Sequence, residues 1–231
     1  MTEGTPWARP RRHRICPSIL SADFARLGDE IATVARAGAD FLHVDVMDGQ
    51  FVPDLTFGPI LVRAMRRLTS LPLDVHLMIV EPLRFLEAFA LAGADHLIVH
   101  LEAVEDPARA LRSIRARGLR AGLSIKPGTD LARYLELLPE CDIALVMTVE
   151  PGKGGQPFLP GSPARIQAVR QAIDGSNLDC LLGVDGGIDP GTAETAARAG
   201  ADTFIAGNSI FGASDPSEAM RAVRAGAAPR P

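Results

Sequence analysis

Short apolar runs alternate with stretches of helical spacing along almost the whole chain. Eight of these runs have the length and composition of buried β-strands. They cover residues 15–20, 41–47, 73–78, 96–100, 120–125, 143–149, 181–184 and 203–206. Between the runs, apolar residues recur at every third or fourth position, as at Phe24, Leu27, Ile31 and Val34. That spacing predicts amphipathic helices, so strand and helix are expected to alternate.

The tetrapeptide Ala-Gly-Ala-Asp occurs three times, at residues 37–40, 92–95 and 199–202. Each copy follows a helical pattern and precedes an apolar run. Glycine is the usual residue just after a helix, because it adopts the left-handed conformation without steric cost. The repeat therefore predicts the turn from a helix into the next strand.

Strict alternation of strands and helices is typical of a parallel sheet, and eight such units in 231 residues fit a closed (β/α)₈ TIM barrel. A doubly wound open sheet is the alternative. Polar, potentially reactive residues occur at the ends of many strands, which favours the barrel because an open sheet gathers them near one switch point. We predict a single α/β barrel domain over residues 15–225, a flexible basic arm at 1–14 and a flexible tail at 226–231.

Composition describes an ordinary globular protein, with 47% apolar and 23% charged residues. The formal net charge of −4 gives no electrostatic reason to bind nucleic acid or an anionic membrane, so a small molecule is the expected partner. No apolar run is long enough to cross a bilayer, and the basic N-terminal segment lacks the apolar stretch of a signal peptide. The scattered cysteines Cys16, Cys141 and Cys180 predict buried free thiols in a reducing cytoplasm.

Polar side chains at the ends of three predicted strands are the first candidates for chemistry. The two-residue period of a strand puts His43 and Asp45 on one face of the second strand. The same period puts Asp74 and His76 on one face of the third, and Asp185 follows the seventh. TIM barrels keep their active sites at the carboxyl ends of the strands. We therefore expect these side chains to meet at the barrel mouth.

Two imidazoles and two carboxylates from three strands are a suitable ligand set for one divalent ion, such as Zn²⁺, Fe²⁺, Mn²⁺ or Co²⁺. This predicts a metal centre formed by His43, Asp45, His76 and Asp185. The alternative is that the histidines are satisfied core residues and the aspartates only cap the strand ends. The presence of all four residues at strand ends favours the metal centre.

Glycine-rich turns follow the last three predicted strands, at residues 151–156, 185–187 and 206–209. Backbone N–H groups in such turns can approach an anion closely. Each turn alone would be ordinary loop chemistry, but loops after the seventh and eighth strands of barrels often form a phosphate site. The three turns together predict a phosphorylated substrate.

Other side chains near the predicted strand ends have two interpretations. Met47, Met78 and Met147 either line the cavity beside the metal or simply fill the core. His100, at the end of the fourth strand, either supports the site or is a satisfied polar residue, and the second interpretation is favoured.

Long motifs spread over residues 15–212 resemble the ribulose-phosphate 3-epimerase family. The segments that carry the resemblance are 17–24 (PSILSADF), 43–49 (HVDVMDG), 51–53 (FVP), 74–78 (DVHLM), 147–152 (MTVEPG) and 184–187 (VDGG). The resemblance implies interconversion of D-ribulose 5-phosphate and D-xylulose 5-phosphate, a step of the pentose phosphate pathway and of carbon-fixing cycles.

Inversion of the carbon beside a ketone needs two acid–base groups on opposite faces of the substrate. The resemblance implies that Asp45 and Asp185 are this catalytic pair and exchange roles with the direction of reaction. It also implies that the divalent metal stabilises an enediolate. The candidate substrate-binding residues are Ser18, Met47, His76, Met78, Met147, Gly152, Lys153, Gly154, Gly155, Gly186, Gly187, Gly207 and Asn208.

Two residues depart from the family pattern. Lys153 stands where the family more often has an aromatic residue, and Asn208 where it more often has serine. Both belong to substrate-contacting loops, so a related substrate such as D-allulose 6-phosphate stays open. A Schiff-base aldolase is a further alternative, because Lys126 follows the fifth strand and could face the barrel mouth.

Two other classes of function fit the sequence less well. A non-enzymatic sugar-phosphate sensor would be expected to lack some catalytic groups, and none of the four is missing. A metal-assisted phosphatase would need the metal beside the phosphate, whereas the two predicted sites come largely from different strands. Relatives form dimers or hexamers, so the resemblance implies a homo-oligomer.

Overall fold

Residues 13–228 are described in a computed structural model of the protein, and eight parallel strands form the centre of this part of the chain. The strands are β1 (Arg14–Pro17), β2 (Leu42–Met47), β3 (Leu73–Met78), β4 (His96–His100), β5 (Arg120–Ile125), β6 (Ile143–Met147), β7 (Leu181–Asp185) and β8 (Thr203–Ala206). They pair in the order β1-β8-β7-β6-β5-β4-β3-β2, and a parallel bridge between Ser18 and His43 joins β1 to β2. The predicted single-domain TIM barrel is confirmed.

Helices connect the strands and surround the barrel. In the same part of the chain they are α1 (Leu27–Arg36), α2 (Pro59–Arg66), α3 (Leu86–Ala92), α4 (Pro107–Arg115), α5 (Ala132–Glu136), α6 (Ser162–Gly175), α7 (Pro190–Arg198), α8 (Asn208–Phe211) and α9 (Pro216–Ala227). Proline occupies the first or second position of five of them, where its missing N–H costs nothing. Asp106, Asp189 and Asp215 cap α4, α7 and α9 by accepting backbone N–H bonds.

The glycines of the tetrapeptide repeat have the expected conformation. Gly38, Gly93 and Gly200 have φ values of 90°, 99° and 109°, and they end α1, α3 and α7. A residue with a Cβ would be strained there. The prediction that the repeat turns a helix into the next strand is confirmed.

The aspartate of each repeat binds the neighbouring strand at the amino-terminal end of the barrel. Each precedes an even-numbered strand and accepts a backbone N–H from the odd-numbered strand before it, and Asp142 does the same without the repeat. The pairs are Asp40 with Ile15 (2.9 Å), Asp95 with Leu73 (2.8 Å), Asp142 with Ala121 (2.8 Å) and Asp202 with Leu182 (3.2 Å). A helix arginine pairs with each carboxylate: Arg224, Arg66, Arg115 and Arg170 respectively. We call these eight residues the aspartate–arginine ring.

Besides a small cluster of Met47, Val52 and Met78, the described residues form two apolar regions that are separated by the sheet. The larger lies between the strands and the helices, and it includes Val44, Val75, Leu123 and Phe204. The smaller fills the interior of the barrel. Its members are Cys16, Phe41, Ile98, Ile143, Leu145, Met147, Leu181 and Ile205. This interior plug forms the floor beneath the polar groups at the barrel mouth.

Two strands end earlier than the sequence predicts, and β7 ends one residue later, at Asp185. β1 ends at Pro17, because the Ser18 hydroxyl accepts the N–H of Leu20 and starts a 3₁₀ turn. β6 ends at Met147 because the Thr148 hydroxyl donates to the carbonyls of Asp185 and Gly186, which fixes it beside β7.

The predicted domain boundaries need small corrections. Strand β1 already begins at Arg14, and α9 continues to Ala227, so both residues belong to the barrel. The rest of the predicted arm and tail, residues 1–12 and 229–231, lies outside the described residues.

The three cysteines are buried free thiols, as predicted. Burial raises the pKa of Cys180 to about 12 and raises the pKa values of Cys16 and Cys141 well above their ordinary range. Between residues 13 and 228, no helix has the length and apolar character needed to span a membrane.

Candidate active site

The four predicted metal ligands meet at the carboxyl end of the barrel. Strand register sets Asp45 of β2 beside His76 of β3, and Asp185 ends β7. One ligand atom from each of His43, Asp45, His76 and Asp185 lies within 4.8 Å of the others. His43 Nε2 is 3.2 Å from Asp45 Oδ1 and 3.7 Å from Asp185 Oδ2. His76 Nδ1 is 3.3 Å and 3.5 Å from the same two oxygens.

This cluster fits one divalent cation. Nitrogen and oxygen atoms of imidazoles and carboxylates are the usual ligands of Zn²⁺, Fe²⁺, Mn²⁺ and Co²⁺. His43 Nε2 is buried without a hydrogen bond, although Asp45 lies close by. A buried polar atom without a partner is costly, and a cation bound between these groups would satisfy it.

A buried chain of polar side chains supports His43 from behind. Its Nδ1 is 2.7 Å from Asp74 Oδ2, and the other oxygen of Asp74 is 3.1 Å from His96 Nδ1. The bond to Asp74 leaves the proton of a neutral His43 on Nδ1, so its Nε2 lone pair faces the cluster. Sequence analysis put Asp74 on the correct face but gave it no role.

A second buried chain starts at His76. Its Nε2 is 2.9 Å from His100 Nε2, and the two rings stack with centroids 4.9 Å apart. His100 Nδ1 is in turn 3.2 Å from Glu102 Oε2. The favoured sequence interpretation of His100, a satisfied polar residue, misses its direct contact with a predicted ligand.

Opposite charges set the protonation of the cluster. Burial opposes ionisation of Asp45, but His43 and His76 outweigh it and lower the pKa of this carboxyl. Burial also opposes protonation of His43, yet Asp45 and Asp74 raise its pKa well above the ordinary value. The pKa of His76 rises against burial because the carboxylates of Asp185 and Asp45 lie beside its Nδ1 and favour the protonated ring. The cluster therefore favours a positive charge at its centre.

A cavity of about 460 Å³ opens beside the cluster. Asp45 and Asp185 line it, whereas His43 and His76 lie beneath its surface. The predicted substrate-binding residues that also line it are Ser18, Met47, Met78, Met147, Gly152, Lys153, Gly154, Gly155, Gly186, Gly187, Gly207 and Asn208. The cavity thus brings together every predicted substrate-binding residue except His76.

Several lining residues escaped sequence analysis. Leu20 and Ser21 follow β1, Phe158 lies in the loop after β6, and Thr192 belongs to α7. Their positions depend on how the loops fold back over the mouth. Leu20 and Ser21 lie within the 17–24 motif, whereas Phe158 and Thr192 lie in none of the segments that carry the resemblance.

Backbone crowding explains the glycines at one end of the cavity. Gly186 has a φ of 113°, and a Cβ there would lie 2.3 Å from the side chain of Val149. Gly187 has a φ of 65°, and its Cβ would lie 2.5 Å from the backbone nitrogen of Phe158. Only glycine fits both positions, which brings the β6 and β7 loops into close contact.

The two lysines of the chain have different surroundings. Lys126 Nζ lies 3.9 Å from the centre of the Phe51 ring, and Lys126 is not among the residues that line the cavity. Lys153 lines the cavity on the exposed loop after β6, where the Gln156 amide donates to its carbonyl. The aldolase alternative therefore lacks the lysine that it invoked.

A closed (β/α)₈ barrel with carboxylates and imidazoles around a cavity at the carboxyl ends of its strands has the architecture of an enzyme. Comparison with known proteins defines the enzyme further. The sequence model of the ribulose-phosphate 3 epimerase family matches residues 14–211. The chain belongs to the ribulose-phosphate 3-epimerase family.

Relatives in this family are similar over nearly the whole chain. Ribulose-phosphate 3-epimerase of Mycobacterium tuberculosis is 51% identical over 216 residues, which cover 93% of each chain. The Bacillus subtilis protein of the same name is 46% identical and covers 91% of this chain and 98% of its own. The chloroplastic ribulose-5-phosphate-3-epimerase of Arabidopsis thaliana is 42% identical, over 93% of this chain and 77% of its own.

More distant solved structures share the fold. A 3-hexulose-6-phosphate synthase has a TM-score of 0.69 at 20% identity and covers 94% of this chain and all (100%) of its own. KGPDC from Streptococcus mutans has a TM-score of 0.70 at 15% identity over 94% of this chain and 97% of its own. At these identities the likeness concerns the barrel alone.

Proposed function

We propose that the protein is a metal-dependent isomerase that interconverts D-ribulose 5-phosphate and D-xylulose 5-phosphate by inverting C3. The observation that carries this proposal is the convergence of Asp45 from β2 and Asp185 from β7, two strands that do not neighbour each other, onto one cavity. Epimerisation needs one group to remove a proton from one face of the carbon and another to return a proton to the other face. Membership of the epimerase family supports the same reaction.

Asp45 and Asp185 are the acid–base pair. In one direction Asp45 accepts the C3 proton and Asp185 donates a proton to the opposite face, and in the other direction the roles exchange. The Ser18 hydroxyl donates to Asp45 Oδ2 at 2.6 Å, which orients this carboxylate and keeps its second oxygen toward the histidines. Burial of both aspartates limits competition from water for the proton.

His43, Asp45, His76 and Asp185 would hold one divalent cation, with Zn²⁺, Fe²⁺, Mn²⁺ and Co²⁺ as candidates. When bound, it supplies positive charge beside the substrate oxygens and so stabilises the negative charge that remains when the proton leaves. The protein groups behind the histidines fix which nitrogen of each ring faces this position.

The methionines and the glycine loops have separate tasks in this proposal. Met47, Met78 and Met147 form uncharged walls that keep water from the reacting carbon without offering it a competing proton donor. The turns around Gly152, Gly186 and Gly207 offer backbone N–H groups to the phosphate, and no side chain at these positions blocks the approach.

A substrate panel tests the proposal. Initial rates of the metal-loaded protein should give the highest kcat/KM for D-ribulose 5-phosphate, and D-ribulose without phosphate should be at least about 100-fold poorer because the phosphate contacts are lost. Preference for D-allulose 6-phosphate over the pentose phosphate would overturn the substrate assignment and direct attention to Lys153 and Asn208. Inactivity toward every ketose phosphate would overturn the epimerase assignment.

The homo-oligomer and the cytoplasmic location implied by the sequence stay predictions. Size measurement in solution tests the first, and fractionation of the source cells tests the second.

A further inference from the structure

The contact between His76 and His100 restricts where their protons lie. The two Nε2 atoms are 2.9 Å apart, so one of them must donate and the other must accept. His76 Nδ1 points toward Asp45 and Asp185, at 3.3 Å and 3.5 Å. A neutral imidazole that binds a cation through Nδ1 carries its proton on Nε2. His76 must then be the donor, and His100 must be the acceptor.

The contact between His100 and Glu102 continues the hydrogen-bond donation in the same direction. If His100 accepts through Nε2, its own proton lies on Nδ1, which is 3.2 Å from Glu102 Oε2. Burial opposes ionisation of this glutamate, but bonds from His100, Thr129 and Lys126 outweigh it and lower its pKa to about 2. A carboxylate that has no proton can only accept.

We propose that His100 and Glu102 are positioning residues that hold the Nδ1 lone pair of His76 toward the metal site. The inference rests on the proposed metal centre, and it adds β4 and the turn directly after β4 to the elements that build the site. His100 is completely buried and does not line the cavity in the described part of the chain, so its effect passes through His76. Partners of this kind typically change metal affinity 10- to 100-fold.

The other oxygen of Glu102 fixes the direction in which the hydrogen bonds from His76 through His100 to Glu102 are donated. Glu102 Oε1 accepts the backbone N–H of Lys126 at 2.8 Å and the hydroxyl of Thr129. A glutamine at position 102 must keep its amide oxygen toward the Lys126 N–H, since an amide nitrogen would leave two donors facing each other. Its NH₂ group would then face His100 Nδ1 and push the histidine proton to Nε2, against the proton of His76.

Two substitutions of His100 separate positioning from mere packing. Glutamine carries its amide oxygen near the place of imidazole Nε2, so His100→Gln keeps an acceptor for His76. Asparagine reaches only about as far as imidazole Nδ1. His100→Asn therefore keeps a hydrogen-bond donor for Glu102 but leaves the Nε2–H of His76 without an acceptor. The Kd for Zn²⁺ and Mn²⁺ is measured on the full chain by competition with a chelating dye.

We expect His100→Asn to weaken metal binding about 10- to 100-fold and His100→Gln to remain within about threefold of the wild type. Thermal melting of the metal-free variants serves as the check on folding. Equal losses of affinity in the two variants would overturn the positioning role, because a packing defect does not distinguish the two acceptor positions.

Glu102→Gln and Thr129→Val form a second matched pair. Glu102→Gln should weaken metal binding about tenfold or more, because it moves the His100 proton to Nε2, where it opposes the Nε2 proton of His76. Thr129→Val removes another bond to the same carboxylate and leaves the contact with His100 in place, so its metal affinity should stay close to that of the wild type. A Glu102→Gln protein with wild-type affinity would overturn the proposal.

The wild type distinguishes failure of this inference from failure of the proposed function. If the wild type binds one divalent ion and epimerises the pentose phosphate while both His100 variants match it in affinity, only the positioning role is wrong. If the wild type itself binds no divalent ion, the metal centre and the positioning role are both wrong.

Discussion

At the scale of single residues, the two aspartates that we propose as the acid–base pair have different partners. Asp45 receives the Ser18 hydroxyl and lies 3.3 Å from His76 Nδ1, while Asp185 ends β7 just before the glycine pair. Both also border the predicted metal position. Their chemical roles can therefore be separated only by a measurement that follows each face of the substrate.

Asp45→Asn and Asp185→Asn should each lower kcat for epimerisation by about 10³-fold or more, because an amide cannot take up or return the proton. At saturating metal in D₂O, each variant should still exchange the C3 hydrogen of one epimer, and the two variants should act on different epimers. ¹H NMR of each isolated ketose phosphate measures this. The control Asp130→Asn, at an exposed position outside the cavity, should keep wild-type activity. Exchange of both epimers by one variant would contradict the two-base mechanism.

Gly187→Ala should raise KM for the phosphorylated substrate about tenfold and leave the metal affinity unchanged. The new Cβ would lie 2.5 Å from Phe158 N and 2.9 Å from the carbonyl of Gln156, so the loop that borders the phosphate end of the cavity must move. Steady-state kinetics gives KM. Gly175→Ala is the control, since no atom lies within 4 Å of its Cβ position, and it should behave like the wild type. An unchanged KM in Gly187→Ala would argue against phosphate binding at this turn.

At the scale of elements, the aspartate–arginine ring joins the strands in pairs. Each aspartate precedes one strand, binds the backbone N–H of its neighbour and pairs with an arginine of a surrounding helix. The ring lies at the opposite end of the barrel from the cavity. It should therefore contribute to stability without affecting chemistry.

Asp142→Ala should destabilise the protein by about 1–3 kcal/mol, because the buried N–H of Ala121 loses its acceptor and Arg115 loses the nearer of its two carboxylate partners. Asp142→Asn keeps an amide oxygen for Ala121 and should cost less. Denaturant unfolding monitored by circular dichroism measures both, and kcat/KM should be unchanged. A loss of activity without a loss of stability would mean that this end of the barrel is coupled to the site.

Sequence patterns predicted the strands better than the loops between them. The strands are short, buried on both sides and rich in Leu, Val, Ile and Met, so local composition indicates them. The turn that starts at Ser18 depends on a hydrogen bond to the Ser18 hydroxyl, and the short helix α8 depends on the bond of the Ser209 hydroxyl to the carbonyl of Ile188. These elements were absent from the sequence prediction for that reason.

At the scale of the whole molecule, the proposed metal centre would link β2, β3 and β7 across the barrel mouth, because its four residues come from these strands. Its four residues were predictable because the two-residue period of a strand sets His43 and Asp45 on one face of β2 and His76 on one face of β3, and Asp185 ends β7. Sequence analysis did not give a role to Asp74 or connect His100 with His76. Those contacts depend on the register of β2, β3 and β4 and on the side-chain rotamers, neither of which a single sequence specifies.

Removal of the metal should lower the melting temperature of the intact protein. A divalent ion at about 100 times its Kd stabilises the folded state by about 2.7 kcal/mol. For a chain of this size that corresponds to about 5–10 °C in Tm. Calorimetry before and after EDTA treatment, followed by addition of Zn²⁺ or Mn²⁺, measures the change. The Tm of Asp45→Asn should change less than that of the wild type when the metal is removed or added. A wild-type Tm that does not change would count against the metal centre.

Incubation of the metal-loaded protein with D-ribulose 5-phosphate in D₂O tests the central claim most directly. ¹H NMR should show D-xylulose 5-phosphate with deuterium at C3, because the proton removed by one aspartate is replaced from the other, which exchanges with solvent. Formation of the product with full retention of hydrogen at C3 would contradict the two-aspartate mechanism. The absence of any product would contradict the proposed substrate.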